Sequence, residues 1–257
     1  MRLIPLGSGS SGNATLVEIA GRRLLVDAGL SARALGLRLG QVGIDPATVD
    51  WILISHEHTD HVRGAELFSR RHGVALVCAL ETLEAMDRSR DDFAEWIPLP
   101  AGRKLELGPV AVDPFPVPHD AARPVGFVLE GEGVRVGLAT DLGHATALVR
   151  ERLRGCQALM LEANHDERML RDGPYPWHLK QRVSGRTGHL SNDEAARLLC
   201  EVVDGESRAV VLAHLSEKNN RPELARGTAA TALSAGGRRR VTVRVASRKS
   251  PTPPIEL

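Results

Sequence analysis

The sequence predicts an α/β sandwich, two mixed sheets packed face to face and covered outside by helices. Three observations predict it. Short apolar strands and helical segments alternate along the chain, with no linker and no internal repeat to divide it. The 257 residues are 42% hydrophobic but only 3% aromatic, enough for a substantial core of Val, Leu, Ile and Ala. Several apolar runs end abruptly in a His or Asp, the pattern of strands that deliver polar side chains into one cleft.

Taken in order, residues 16–19 and 24–27 flank Gly21 as hairpin strands. Ser31 opens a helix running to about Gly40. Residues 51–54 form a continuous apolar strand. Asp60 opens a helix through about His72, with Val62, Ala65 and Phe68 on one stripe and Gly73 as its stop. A strand over 74–77 follows, then a strand-rich middle at 110–116, 125–129 and 134–139. Residues 159–161 and 210–213 are two later buried strands. Ser191-Asn192-Asp193-Glu194 is a capping box opening a helix through about Val203. Pro222 fits the first turn of another, ending near Ala235. Residues 1–246 read as one domain, and the polar, Pro-rich 247–257 as a tail expected to fray.

Bulk properties exclude some classes. No apolar stretch approaches the length of a membrane span, and the N-terminus lacks the apolar core of a signal peptide. Cys78, Cys156 and Cys200 are scattered without a C-x-x-C, which fits reduced thiols in a cytoplasmic protein; each is expected to be a small core residue. The net charge is +1, but residues 168–257 hold 16 Lys and Arg against 9 Asp and Glu, and the remainder balances at −6. Such a basic C-terminal third suits a phosphate-rich substrate, though ordinary surface charge scatter accounts for it equally well.

The densest chemistry is His56-Glu57-His58-Thr59-Asp60-His61, directly after the 51–54 strand. Chance gives H-x-H-x-D-H in about one such sequence in a thousand. Imidazoles with carboxylate suit zinc, manganese or iron better than calcium or magnesium. His56 and His58, two apart, can face one ion; Asp60 and His61 can serve a neighbour. Two ions need further ligands from other strand ends. His119 follows a proline-stiffened strand, Asp141 ends the run 136–140, and His214 ends 210–213. Taken alone, His119 could be a surface residue, Asp141 a helix cap and His214 a satisfied core histidine. The first motif weights all three towards ligation.

In this order and at these strand ends, the residues resemble the metallo-β-lactamase superfamily. The resemblance implies a four-layer αββα sandwich and two metal sites, one of His56, His58 and His119, the other of Asp60, His61 and His214, with Asp141 bridging. The Asp27-Ala28-Gly29 turn resembles the element that supports the ligands in that fold. Further segments are similar to the YycJ/WalJ-type group: residues 6–13, 161–166, 173–176, 188–192 and 214–220. Members are described as 5′-to-3′ exodeoxyribonucleases, which implies a DNA substrate and favours manganese in the active form, with zinc able to occupy purified protein.

Two cations about 3.5–4 Å apart would hold a bridging hydroxide near neutral pH and neutralise phosphate charge. The leaving alkoxide calls for a proton. His165 and His189 are candidates to donate it or to contact phosphate, with fold support as the alternative for each; Asp60 belongs to the catalytic set as a ligand. His144 is a weaker candidate. Ser8, Ser10, Ser11 and Asn13 lie in a Gly/Ser-rich loop whose N–H groups could cradle phosphate. The loop lacks the Gly-Lys-[Ser/Thr] of a nucleoside triphosphate site. Arg182, Arg186 and Asn219 are expected substrate contacts, and Tyr175 and Trp177 lie among arginines in a stretch that reads either as a substrate arm or as a packed connection.

Other functions compete. A hydrolase of a small thioester, lactam or cyclic phosphodiester could use the same metals. A periplasmic lactamase would need an export signal, and a thioesterase of the glyoxalase II type a C-terminal helical domain, for which the 43 residues after His214 are too few. A non-catalytic, metal-stabilised module would be expected to have lost some of the seven ligands.

Overall fold

The computed structural model describes residues 1–100 and 102–257. The first half of the chain contributes strands β1 (Arg2–Gly7), β2 (Ala14–Ile19), β3 (Arg22–Val26), β4 (Trp51–Leu53), β5 (Ala75–Cys78) and β6 (Trp96–Pro98). The second contributes β7 (Leu105–Leu107), β8 (Val110–Pro116), β9 (Val125–Gly131), β10 (Val134–Ala139), β11 (Ala158–Glu162), β12 (Ala209–Ala213), β13 (Thr242–Val245) and β14 (Ile255–Glu256). Among the described residues they form two seven-stranded sheets, ordered β14-β1-β2-β3-β4-β5-β6 and β13-β12-β11-β10-β9-β8-β7. Each is antiparallel at one side and parallel at the other; β3, β4, β5 and β6 run parallel in the first, and β10, β11, β12 and β13 in the second.

The helices are α1 (Ala32–Gln41), α2 (Thr59–Val62), α3 (Ala65–His72) and α4 (Leu80–Ala85), then α5 (Ala147–Leu153), α6 (Glu167–Asp172), α7 (Trp177–Val183), α8 (Asn192–Val202) and α9 (Pro222–Ala235). Three apolar clusters define four layers. One joins Leu24, Leu53, Phe127, Met160 and Val211 from both sheets. A second packs Leu35, Leu39 and Phe68 of α1 and α3 on the outside of the first sheet. The third packs Leu199 and Leu233 of α8 and α9 on the outside of the second. Within β11, Met160 faces the inter-sheet core while Leu159 and Leu161 face the helices. Strands buried on both faces read as unbroken apolar runs, which is why they stood out in the sequence.

Local signals held where they were strongest. Ser31 caps α1 by accepting from the Ala34 N–H, Ser191 and Glu194 complete the capping box of α8, and Pro222 starts α9. Three expectations need correction. The helix from Asp60 to His72 is two, because Gly64 donates its N–H to Ala28 O at 2.8 Å instead of continuing the ladder. The tail does not fray: Thr252 donates to Pro5 O at 2.8 Å, and Ile255 and Glu256 pair with Leu3 and Arg2 as β14. Ile255, only 4% exposed, supplies the apolar anchor that its proline-rich surroundings obscured. Cys78 and Cys156 are core residues, but Cys200 is half-buried on α8. No helix among the described residues is long and apolar enough to cross a membrane.

Candidate metal centre

Parallel strands place their C-terminal ends at one edge, and the polar residues collect there. β3 delivers Asp27, β4 the loop His56–His61, β10 Asp141, β11 Glu162 and β12 His214; His119 follows β8. Asp27, Asp141 and His214 adopt left-handed backbone with φ of 59°, 56° and 55°. Non-glycine residues are seldom held there, and such strain concentrates at functional sites. Here it turns each side chain off its strand into the shared cleft.

All seven expected ligands converge. His56, His58 and His119 form one group, Asp60, His61 and His214 another, and Asp141 joins His56 and His61 in a third; within each group the ligand atoms lie within 4.8 Å of one another. Among the described residues, the buried atoms His56 Nε2, Asp141 Oδ2 and His214 Nε2 have no hydrogen-bond partner. A buried unpaired polar atom costs about 1–3 kcal/mol, so three in one cup indicate a missing positive partner. Imidazole nitrogens and carboxylate oxygens are the donor set of zinc, manganese or iron, and the residues fit a pair of such ions.

Supporting carboxylates aim the rings. His61 Nδ1 donates to Asp27 Oδ2 at 2.8 Å, and Asp27 Oδ1 accepts the Ser55 N–H at 2.8 Å. His214 Nδ1 donates to Glu162 Oε1 at 2.9 Å, and His119 Nδ1 to Gly188 O at 3.2 Å. Each bond spends one nitrogen on the protein and leaves Nε2 for the centre, the usual way a protein fixes a ligand's tautomer. Gly29 makes the first of these contacts feasible, since a Cβ there would meet Asp60 O at 1.6 Å.

Electrostatics match. Burial alone would raise the Asp141 carboxyl, but the imidazoles of His214 and His61 overcome it and hold it well below the usual range. Burial depresses His56 well below an ordinary imidazole, aided by His61, and so keeps its lone pair available. Burial opposes His214 too, yet the nearby carboxylates of Asp141, Asp60 and Glu162 lift it to about 10. The cup is thus rich in carboxylate charge that divalent cations would neutralise. If ions at about a thousandfold over their Kd stabilise the fold by about 4 kcal/mol per site, chelation should lower Tm by about 8–16 °C per site lost. Differential scanning calorimetry with and without chelator checks this; an unchanged Tm would argue against a structural grip on metal.

The remaining candidates divide. His189 lines the cavity of about 250 Å³ over the centre, donates through Nδ1 to Glu162 at 2.8 Å, and sits between His119 and His214 with ring centroids 5.3 and 5.2 Å away. Arg182 and Ser10 also line this cavity, and Arg182 pairs with Asp120 at 2.8 Å. His165 does not: it is buried on a separate cavity with Trp177 and Lys180, on the other side of α7. The stretch around it folds into α6 and α7, and a helix is what separates the two cavities. Ser8 is buried and accepts the His214 N–H at 2.7 Å, so it holds a ligand's backbone. Asn13 is buried and donates to Asp60 Oδ2 at 3.2 Å. Asn219 is fully buried, its N–H bonded to Ser216 Oγ. Ser11 is exposed on a neighbouring cavity, Arg186 is exposed and takes a bond from His144 Nδ1 on its carbonyl, and neither lines the metal cavity. Burial consumes polar groups that sequence alone offers to a substrate.

Glu162 was missed as a functional residue. It accepts from His189, His214, the Leu142 N–H and the Leu190 N–H. Burial would raise it, but His189 pulls it down to about 2. Its signal was a carboxylate ending the apolar run of β11, the same pattern as Asp141. Asn164, whose Nδ2 donates to His214 O at 2.9 Å, left no such mark.

A two-sheet sandwich with imidazoles and carboxylates gathered at one edge defines a metal-dependent hydrolase. The chain belongs to the metallo-β-lactamase superfamily, YycJ/WalJ type: residues 22–215 match the model described as "Beta-lactamase superfamily domain". It is 34% identical over 234 residues to Exodeoxyribonuclease YycJ of Bacillus anthracis, covering 90% of this chain and 89% of the relative. It is 34% identical over 233 residues to Exodeoxyribonuclease WalJ of Streptococcus pneumoniae serotype 2, covering 89% and 87%. Among solved structures, the metallo-beta-lactamase fold protein YhfI of Bacillus subtilis superposes with a TM-score of 0.73 at 16% identity over 98% of both chains. Zn(2+)-bound PqqB of Methylobacterium extorquens does so at 0.70 and 17% over the whole of both.

Proposed function

We propose that the protein is a two-metal phosphodiesterase that digests DNA from an end, 5′ to 3′, with manganese or zinc at His56, His58, Asp60, His61, His119, Asp141 and His214. One observation carries the chemistry: Asp141 Oδ2 and His214 Nε2, buried and without hydrogen-bond partners among the described residues, belong to side chains lining a cavity that also presents His189 and Arg182. The names of the two full-length relatives support the substrate. Two divalent ions supply an activated water near neutral pH and neutralise phosphate charge.

The chain's own groups do the rest. Ser10 and Arg182 lie on the cavity wall, where Arg182 can exchange Asp120 for a phosphate oxygen as a charge-assisted contact. His189 is held by Glu162 through Nδ1, so Nε2 is the nitrogen left for the substrate. Glu162 and Asp141 raise His189 against the effect of burial, and so favour the imidazolium. As hydroxide from the activated water bonds to phosphorus and the P–O bond to the deoxyribose breaks, the proton on His189 Nε2 passes to the departing oxygen. Replacing His189 with Gln should lower kcat on DNA about 10²–10⁴-fold. On bis(p-nitrophenyl) phosphate, whose leaving group needs no proton, the loss should be much smaller. Equal losses on both substrates would remove the proton-donor role.

The decisive test supplies protein reconstituted with Mn or Zn to end-labelled DNA, RNA and a small phosphodiester. Progressive shortening of DNA from its 5′ end is expected. Turnover of a thioester with none of any phosphodiester would overturn the reading.

A further inference from the structure

We propose that the C-terminal segment builds a second binding site beside the metal centre, one that grips the DNA backbone away from the scissile phosphate. The site rests on the nuclease reading. The metal cavity, about 250 Å³, lies at the small end of ligand sites and takes about one nucleotide. A polymer must therefore leave it across the surface. A cavity of about 760 Å³ adjoins, lined among others by Ser11, Arg38, Glu217, Arg248 and Lys249. The two share a ridge. Ser10 lines the first and Ser11 the second; Ser216 lines the first, and Leu215 and Glu217 the second. A strand crossing that ridge meets Arg248 and Lys249.

The basic pair is held in place by the tail that was expected to fray. Thr252 is tied to Pro5 O, Ser247 N donates to Thr252 Oγ1 at 2.9 Å, and Lys249 N donates to Ser247 Oγ at 3.2 Å. Arg38 Nη1 donates to Leu6 O at 2.6 Å and Nη2 to Arg248 O at 3.0 Å, so this guanidinium clamps the turn to β1. The stem of Arg248 lies on Gly9, where φ is +117° and a Cβ would come 3.0 Å from Arg248 Cδ. The Gly/Ser loop and the tail thus form one surface.

Charge fits the occupant. Among the described residues the Arg248 guanidinium forms an ion pair only with Glu217, at 3.4 Å, and Glu217 is largely exposed. Such an exposed pair is weak, so it yields readily to a phosphate that a guanidinium holds in a fork. Lys249 is exposed, and among the described residues it has no ion-pair partner.

The test measures kcat/KM on a labelled DNA duplex between about 50 and 200 mM salt. It compares the metal-loaded full chain with Arg248→Met/Lys249→Met, which keeps the stem over Gly9. Loss of two phosphate contacts should reduce the salt slope by about 1.8. KM should rise while kcat, and the rate on bis(p-nitrophenyl) phosphate, hold. Glu217→Gln, which frees Arg248, should lower KM. Arg239→Ala/Arg240→Ala is the control, since these residues precede β13 at the edge remote from the C-terminal ends of the strands. A wild-type slope in the double Met variant, or an equal fall in the control, overturns the site. Wild-type protein that hydrolyses the small diester but neither digests nor binds DNA overturns the nuclease reading and the site with it.

Discussion

Asp141→Ala is expected to lower kcat by at least about 10³, equivalent to about 4 kcal/mol of transition-state stabilisation, with metal content falling below that of the parent. Asp141 belongs to two of the candidate groups, with His56 and His61 in one and with Glu162, His189 and His214 in the other. Its Oδ2 lies 3.1 Å from His61 Nε2, and its Oδ1 lies 3.2 Å from His214 Nδ1. The carboxylate enters from a left-handed turn at the end of β10, which fixes its direction into the cup. Asn keeps the volume but offers one neutral oxygen, so Asp141→Asn should fail nearly as badly. Elemental analysis and steady-state rates on DNA check both variants. Full activity in either would show that Asp141 does not bridge.

Removing Glu162 should cost mainly stability and metal affinity. In Glu162→Ala four donors lose their acceptor: His189 Nδ1, which is half-buried, and the buried His214 Nδ1, Leu142 N and Leu190 N. Breaking such a buried charged network costs about 3–5 kcal/mol, which corresponds to a fall in Tm of about 6–20 °C. Glu162→Gln keeps the shape but turns an amide NH₂ towards donors. It should weaken metal binding about 10–100-fold, the usual effect of losing a group that orients a ligand. Calorimetric melting and metal titration separate the two effects. A Glu162→Ala protein with parental Tm and metal affinity would reduce Glu162 to a bystander.

The candidate ligands were legible because their pattern is local. His56–His61 is contiguous, and His119, Asp141 and His214 each interrupt or end an apolar run, a signal that needs no knowledge of neighbours. The substrate contacts were legible only in part, because the same residue types serve both substrates and the fold. Ser8, Asn13 and Asn219 face inward to hold His214, Asp60 and the loop after His214, while Ser10 faces the cavity. One position along a loop decides between those fates, and only packing sets the direction. His165 and His189 pose the same contrast: both lie in polar stretches, but α7 separates the first from the cavity over the candidate metal centre and leaves the second lining it.

By itself the sequence determined the two-sheet architecture and the seven candidate donors, since periodicity, caps and strand-end polar residues are read over a few neighbouring positions. The tertiary structure decided which polar groups remain free for chemistry, that Glu162 aims two of the histidines, and that the tail closes onto β1. Those outcomes depend on burial and on partners up to 206 residues apart, as for His214 and Ser8. Contacts that distant form only when the whole core is assembled, and no local pattern encodes them.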